Sequence, residues 1–294
     1  MIYRTANQTR PMLAYSDVKP FLKWAGGKTH LINQYIPFFP KEFNNYHEPF
    51  IGSGAVFWFL MSRNKSFDFN FNRAFISDSN KELINCYIIV RDQPIELIDK
   101  LLFMRINHNK EFYYLVRNQN PNKLTSLERA ARMIYLNKTC FNGLYRVNRL
   151  GYFNVPIGSY KHPRIFEEKN IHQCSKILGG VKIDAKDFHE ILIDANRDDF
   201  IYMDPPYHPI SSTSNFTSYT ENSFYEKDQE SLADIYKKLN HIGCKLMLSN
   251  SYSEKIISLY KDFRQIPISA SRAINSNAER RGKIKELLII NYEI

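Results

Sequence analysis

The chain has 294 residues, of which 44% are hydrophobic, with a formal net charge of +10 and an isoelectric point near 9.3. This length and apolar content exclude a disordered chain and suit one large α/β domain or a domain that carries an insertion. The basic charge and the 14% aromatic content suit a polyanion such as a nucleic acid, although an ordinary basic protein can have the same composition.

The cysteines and the apolar runs exclude further classes. Cys86, Cys140, Cys174 and Cys244 lie far apart without a Cys-x-x-Cys pair or nearby paired histidines, which disfavours a zinc site and a disulfide framework. The polar N-terminal sequence does not resemble a signal peptide, and no run approaches the ~20 apolar residues of a membrane span. We therefore expect a cytoplasmic protein of a reducing compartment, with no metal and no membrane partner.

Short apolar runs alternate with helical patterns along the chain, which is typical of an α/β sheet with crossover helices. Buried strands are predicted at 46–51, 74–78, 181–184, 200–204 and 244–249. Helices are predicted at 28–36, 54–61, 80–91, 226–241 and 253–261. The segments 263–269 and 284–292 predict a hairpin at the end of the sheet.

Residues 93–175 interrupt this alternation with several helical patterns and then a turn-rich segment of basic, asparagine and aromatic residues. The interruption predicts an inserted, mainly helical subdomain. We therefore divide the chain into an N-terminal arm of residues 1–20, an α/β domain of residues 21–92 and 176–294, and the inserted segment of residues 93–175.

The sequence "FIYMDPPYHP" predicts a strand that stops at a carboxylate. Pro205 and Pro206 lack a backbone N–H, so neither can donate to a sheet ladder, and the apolar strand should end at Asp204. Tyr207 follows directly. The motif thus holds an acid, two stiff carbonyls and an aromatic ring close together.

The sequence "HEPFIGSGAVFW" follows the first strand and predicts a tight turn that approaches a cofactor. Gly52 and Gly54 supply two glycines of the dinucleotide fingerprint, but Phe57 stands where the third is required, which disfavours NAD and leaves a smaller adenosine cofactor. Asp78 ends the next strand, where such folds place the acid that bonds a ribose hydroxyl. Glycine turns and strand-end caps are also common without a ligand.

The sequence "FLKWAGGKTH" resembles the end of a Walker A loop. Leu22 occupies the position of the required first glycine, which argues against a nucleoside triphosphate site. The remaining glycine pair predicts a helix start at which backbone N–H groups and Lys28 hold a carboxylate or phosphate, or a simple turn before a helix.

Four motifs stand in the order found in the DNA adenine methyltransferases of the Dam type, the alpha group with a DPPY tetrad: "FLKWAGGKT", "EPFIGSG", "FNGLYRVN…GYFNVPIGSY" and "DPPY". From about residue 20 to the carboxyl end, the chain resembles that family. The resemblance implies a Rossmann-like S-adenosylmethionine-dependent methyltransferase sheet as the catalytic domain. It also implies that the inserted segment is a DNA target-recognition subdomain, and that a methyl group moves from S-adenosylmethionine to N6 of adenine in double-stranded DNA.

The resemblance assigns catalysis to the tetrad Asp204, Pro205, Pro206 and Tyr207. Asp204 and the Pro205 carbonyl would accept the two N–H bonds of a flipped adenine, and Tyr207 would stack on it. The residues it assigns to the cofactor are Trp24, Lys28, Phe50, Gly52, Gly54, Asp78, Asp187, Phe188 and Asp204. Within this set, Asp187 and Phe188 would meet the cofactor adenine, although the sequence "AKDF" is equally a helix cap.

The residues that the resemblance assigns to DNA are Lys23, Phe141, Asn142, Leu144, Arg146 and Pro156. Arg146 would bond a guanine edge and Lys23 a second guanine, which implies the target GATC. Without the flanking motif, Arg146 would be taken as a plain surface arginine. Ser159 departs from the arginine of many relatives, which puts one phosphate contact in doubt.

Two loops complete the predictions. Arg280, Arg281 and Lys283 contact phosphates or form a solvated basic loop, and the serine-rich loop 211–220 is predicted to become ordered on DNA. The alternative to an enzyme is a catalytically idle DNA-binding protein on the same fold. Whether a cognate restriction endonuclease acts separately beside the protein stays open.

Overall fold

The computed structural model describes residues 18–64, 69–209, 224–271 and 283–294. These residues form a seven-stranded sheet. Its strands are β1 (Asn45–Glu48), β2 (Arg73–Asp78), β3 (Lys182–Ala185), β4 (Phe200–Met203), β5 (Lys245–Ser251), β6 (Arg264–Ser271) and β7 (Lys283–Ile290). Their order in the sheet is β3-β2-β1-β4-β5-β7-β6. The predicted strands and the hairpin at the end of the sheet are confirmed, and Arg280, Arg281 and the loop 211–220 lie outside the described residues.

The direction of the strands creates one crevice in the sheet. Strands β1 to β5 are parallel, and β7 runs antiparallel to both β5 and β6. From β1 the chain moves outward through β2 and β3, and then returns to place β4 on the other side of β1. This reversal leaves a crevice at the carboxyl ends of β1 and β4, where open α/β folds bind their ligands.

The helices lie between and beside these strands. Within the described residues they are α1 (Ile32–Tyr35), α2 (Ala55–Met61), α3 (Lys81–Asp92), α4 (Pro94–Ile106), α5 (Lys110–Asn118), α6 (Ser126–Thr139), α7 (Glu168–Leu178), α8 (Ile191–Asp194), α9 (Glu226–Ile242) and α10 (Glu254–Leu259). Short 3-10 turns occur at Ile36–Phe38, Pro121–Lys123, Phe141–Gly143 and Phe188–Glu190. The predicted positions of α2, α3, α9 and α10 are confirmed, with ends that differ by one or two residues.

The helix predicted over 28–36 is confirmed only from residue 32 onward, and residues 28–31 are not helical. The backbone turns at this point, with the N–H of Leu31 donating to the carbonyl of Lys28 at 2.8 Å, and α1 begins only at Ile32. After four residues the chain tightens into a 3-10 turn that contains Pro37. Lys28 is therefore part of a turn and does not lie in the first turn of a helix.

The apolar side chains of β4 show why this strand is central. All four residues are buried, and they alternate between two hydrophobic clusters: Phe200 and Tyr202 join one, and Ile201 and Met203 join the other. Alternate side chains of a strand point to opposite faces of a sheet, so each face of β4 is covered. A continuous apolar run is the pattern expected of such a strand.

The inserted segment is mainly helical, as the sequence predicts, and it does not stand apart from the sheet. Helix α6 packs on α3, and Ile134 and Leu136 of α6 belong to the same cluster as Phe200 of β4. The expected boundary at residue 175 falls inside α7, which also packs on α3. The division into subdomains stays a prediction.

The four cysteines are buried and unpaired. Burial raises the pKa of Cys140 to about 11 and those of Cys174 and Cys244 to about 12, and it also raises the pKa of Cys86. Thiolates are therefore scarce at neutral pH.

No helix in the described part of the chain has the length and the apolar character that crossing a membrane requires.

Asp199, directly before β4, joins that strand to β1. Its buried carboxylate accepts hydrogen bonds from the backbone N–H and side-chain amide of Asn45, at 3.0 and 2.9 Å, and from the backbone N–H of Asn196 at 2.9 Å. His47 Nε2 lies 2.9 Å from its second oxygen. Burial raises the pKa of Asp199, but the hydrogen bonds from His47 and Asn196 outweigh burial and hold this pKa below its ordinary value.

We expect Asp199→Ala to lower the free energy of unfolding by about 3–5 kcal/mol, because it leaves the buried His47 and the donors of Asn45 and Asn196 without their acceptor. Since the folded pKa is depressed, the contribution of Asp199 is present at neutral pH and is lost as the pH falls below about 4. Urea denaturation at several pH values measures both effects. Asp262→Ala, at an exposed carboxylate, is the control, and equal losses in the two variants would contradict the assignment.

Candidate active site

A cavity of about 1030 Å³ occupies the crevice at the carboxyl ends of β1 and β4. All the residues predicted for catalysis and for the cofactor line it: Trp24, Lys28, Phe50, Gly52, Gly54, Asp78, Asp187, Phe188, Asp204, Pro205, Pro206 and Tyr207. Leu144 of the inserted segment also contributes to its wall. The structure therefore brings the four motifs of the resemblance to one place, together with Asp78, Asp187 and Phe188.

The carboxylate of Asp204 is held from two sides. Lys28 Nζ donates to Oδ2 at 2.7 Å, and the Ser249 hydroxyl donates to Oδ1 at 2.7 Å. Lys28 is only 4% exposed and Asp204 is 18% exposed, so this ion pair is shielded from bulk water yet open to the cavity. Lys28 thus holds a carboxylate of the protein itself, and its predicted role toward the cofactor stays a prediction.

The rest of the tetrad is fixed by polar side chains from distant segments. The Tyr207 hydroxyl donates to Glu286 of β7 at 2.7 Å, and Lys28 Nζ lies 4.7 Å from the centre of the Tyr207 ring. The amide of Gln229, on α9, donates to the carbonyl of Pro206 at 2.8 Å. Both the ring and the backbone of the tetrad are thus held in place before a ligand binds.

The turn after β1 has the backbone that only glycine adopts readily. Gly52 and Gly54 have φ values of +46° and +71°, in the left-handed region. A Cβ at Gly52 would lie 2.9 Å from Trp24 Cδ1, and one at Gly54 would lie 2.8 Å from the Tyr87 hydroxyl. The tight turn predicted from the sequence is confirmed, and it lets the backbone approach the cavity.

Asp78 lies at the end of β2, on the wall of the cavity. Its carboxylate accepts from the backbone N–H of Gly52 at 3.3 Å and of Asn80 at 2.9 Å. Burial raises the pKa of Asp78 to about 6, and these two hydrogen bonds oppose that shift. An ionised carboxylate keeps further lone pairs for hydroxyl donors from a ligand.

Aromatic side chains form another wall. Phe50 and Phe188 stack with ring centres 5.3 Å apart, and Phe224 packs edge-on against Phe50 at 5.9 Å. Asp187 caps the short turn Phe188–Glu190, since its carboxylate accepts from the backbone N–H of His189 at 3.0 Å. The helix-cap interpretation of "AKDF" is confirmed. Because Asp187 also lines the cavity, its predicted role toward the cofactor stays a prediction.

The residues predicted to contact DNA lie at the surface around one turn of the inserted segment. Phe141 is 51% exposed, and Asn142 adopts a φ of +56° in the turn that follows α6. The N–H of Phe141 donates to the carbonyl of Pro156 at 2.9 Å, which closes the loop between residues 141 and 156. Arg146 is exposed and its Nε donates to the Asn154 side chain at 2.7 Å.

Sequence reasoning gave no role to several residues of the site. Ser249 bonds Asp204, Asn250 bonds Gln229 and the backbone N–H of His208, and Gln229 and Glu286 bond Pro206 and Tyr207. Tyr145 stacks on Trp24 with ring centres 5.3 Å apart. One local signal exists for the first two: "LSNS" places buried polar residues at the end of an apolar strand, where the structure supplies partners. The other contacts join distant segments and leave no local pattern.

Metal ligands are not grouped in the described parts of the chain: no three His, Cys, Asp or Glu side chains are placed there to hold an ion.

The sheet order, the glycine turn and the strand-end acids together define a methyltransferase fold of the Rossmann-like α/β class. Within this class the chain belongs to the D12 class of N6 adenine-specific DNA methyltransferases, whose family model matches residues 24–274. The protein is therefore an adenine-specific DNA methyltransferase.

Similar proteins support this membership along the chain. The Type II methyltransferase M.MjaIII of Methanocaldococcus jannaschii is 44% identical, over 94% of this chain and 100% of that protein. The Type II methyltransferase M1.LlaDCHI of Lactococcus lactis is 41% identical, over 94% and 96%. A DNA adenine methylase of Vibrio cholerae is 35% identical, over 92% and 95%.

We expect the affinity for S-adenosylhomocysteine, a methyl-free probe, to fall by up to about tenfold per pH unit below pH ~6. Burial raises the pKa of Asp78 to about 6, and protonation would weaken this carboxyl group as an acceptor for the ribose hydroxyls that the resemblance assigns to it. Calorimetric titrations between about pH 8 and about pH 5 measure the effect. The variant Asp78→Asn should bind more weakly and without this pH dependence, and an unchanged pH profile in Asp78→Asn would contradict the assignment.

Proposed function

We propose that this protein transfers a methyl group from S-adenosylmethionine to the exocyclic N6 of adenine within GATC sites of double-stranded DNA. The observation that carries the proposal is the Asp204 carboxylate, held by Lys28 and Ser249 at the wall of a cavity that the cofactor-type motifs also line.

The residues of the cavity fit this cofactor. Asp78 has acceptor capacity for a ribose, and the Phe50 and Phe188 rings offer a flat apolar surface for an adenine. Gly52 lets the backbone come close where a Cβ would collide with Trp24. S-adenosylmethionine, when bound, supplies an electrophilic methyl group on a sulfonium.

Asp204 and the carbonyl of Pro205 would act on the adenine amino group. Its nitrogen is a poor nucleophile because the lone pair is delocalised into the ring. Two acceptors that bond the two N–H groups would draw the nitrogen toward tetrahedral geometry and direct its lone pair at the methyl group. The fixed φ of Pro205 and Pro206 keeps these acceptors rigid.

The ion pair with Lys28 is compatible with this role. An ionised carboxylate has about four lone-pair sites on its two oxygens, and Lys28 and Ser249 occupy one on each. Asp204 therefore keeps acceptor capacity toward the cavity.

An adenine inside a duplex cannot enter the cavity, so we propose that it flips out of the helix, at a cost of a few kcal/mol. Tyr207 lines the cavity, and stacking on its ring would offset part of that cost, by about 1–3 kcal/mol. The hydrogen bond to Glu286 fixes where the Tyr207 ring lies.

The turn-rich part of the inserted segment would recognise the sequence. Arg146, whose Nε bonds the Asn154 side chain, would direct its guanidinium at a guanine edge, and Lys23 lies beside the turn at Phe141–Gly143. The exposed Phe141 would wedge into the base stack, with Leu144 and Pro156 at apolar base edges and Asn142 near the bases. The resemblance of this segment to the Dam type supports GATC as the target.

We expect Asp204→Ala to lower kcat by at least about a hundredfold while DNA binding is retained, because the variant removes an acceptor from the transition state. Transfer of a tritiated methyl group to DNA measures the rate, and a gel-shift assay measures binding. Asp184→Ala removes an exposed carboxylate of β3 and serves as the control. Undiminished methyl incorporation in Asp204→Ala would refute the catalytic assignment, whereas a wild type that binds DNA without methyl incorporation would favour the idle DNA-binding alternative.

We expect Arg146→Ala to reduce the discrimination against a replaced guanine by about 1–3 kcal/mol. Arg149→Ala, at an exposed arginine three residues further along, should instead weaken all sequences alike or have no effect. Competition between a GATC duplex and duplexes altered at each base pair measures both. Equal losses on every duplex for Arg146→Ala would contradict guanine recognition.

A further inference from the structure

The buried side chain of Asn137, on α6, joins two segments that the proposed function places against DNA. Its Oδ1 accepts the backbone N–H of Lys23 at 2.8 Å, and its Nδ2 donates to the carbonyl of Lys23 at 2.8 Å. The same Nδ2 donates to the carbonyl of Gly143 at 3.0 Å. The residue is fully buried, at 0% exposure.

This amide uses both of its N–H donors on different parts of the backbone. One carbonyl belongs to the segment that continues into Trp24, and the other belongs to the turn Phe141–Gly143. A single planar amide therefore fixes the spacing between these two segments. An aspartate of the same shape has no N–H group with which to donate to either carbonyl.

The two segments also fit closely around each other. Gly143 has a φ of +65°, and a Cβ at this position would lie 2.5 Å from the side chain of Lys23. The Lys23 side chain passes the turn and brings Nζ to 4.7 Å from the centre of the Tyr160 ring. The direction of Lys23 is thus set by the turn that Asn137 holds.

We infer that Asn137 is a positioning residue for sequence recognition, since it holds Lys23 and the turn Phe141–Gly143 in the register that places both against the bases. The inference rests on the proposed function, which assigns these two segments to DNA. Asn137 itself is buried and acts only through them.

Asn170 provides a matched control on α7, the next helix along the chain after α6. Its side chain accepts the backbone N–H of Lys19 at 2.9 Å and donates to the backbone carbonyl of Lys19 at 2.8 Å. Asn137 makes the same pair of hydrogen bonds with Lys23. Asn170 makes no bond to the turn Phe141–Gly143 among the described residues. The variant Asn170→Asp removes the amide donor to the Lys19 carbonyl and therefore tests the loss of such a hydrogen bond without any change at the turn Phe141–Gly143.

The experiment compares the wild type, Asn137→Asp, Asn137→Ser and Asn170→Asp. The measured quantity is the ratio of kcat/KM on a duplex with one GATC site to kcat/KM on a duplex with one guanine pair replaced. We expect both Asn137 variants to lower this ratio by about tenfold, with S-adenosylhomocysteine affinity within about twofold of the wild type. Asn170→Asp should leave the ratio unchanged.

Asn137→Ser and its double variant with Lys23→Ala carry the test if Asn137→Asp does not fold. Asn137 acts partly through Lys23, so the losses of the two single variants overlap. The kcat/KM ratio of the double variant should therefore fall by less than the product of the two single fold-losses. Equal loss of kcat/KM on both duplexes, additive effects, or the same change in Asn170→Asp would overturn the inference. A wild type that does not discriminate between the duplexes refutes the proposed specificity instead.

Discussion

The ion pair between Lys28 and Asp204 joins parts of the chain that are 176 residues apart, and the site depends on it. Removing two charges from water is costly, and the cost is offset only where hydrogen bonds satisfy both groups. Here Lys28 also donates to the carbonyl of Gly26, and Asp204 accepts from Ser249. The loop that contains Gly26 and Lys28 is therefore fixed relative to the ends of β4 and β5.

The parts of the fold that follow from local pattern were predictable. A fully apolar run that ends at Asp204 indicates a buried strand whose carboxyl end carries an acid, and the structure has β4 there. The error over 28–31 has a tertiary cause, because Lys28 is buried against Asp204 in a turn where the local sequence permits a helix. The contacts of Glu286 and Gln229 were not predictable, since a hydrogen bond between distant segments leaves no periodic signal.

The inserted segment shares a core with the sheet, which constrains how it would contact DNA in the proposed function. Helix α6 packs on α3, and α3 begins three residues after the strand-end Asp78. The turn Phe141–Gly143 directly follows α6, and Tyr145 stacks on Trp24 at the cavity wall. The surface assigned to bases and the cavity assigned to the cofactor are thus built on the same rigid framework, which favours one fixed distance between a recognised base pair and the reacting adenine.

The burial of all four cysteines has a practical consequence for fluorescent labelling of the enzyme. Raised thiol pKa values and closed packing leave the native thiols inert toward maleimide dyes. A single cysteine introduced at an exposed position such as Leu150, in the turn-rich segment, would then take up a fluorophore selectively. Such a labelled protein would report on approach to a duplex in real time, without first replacing any native cysteine.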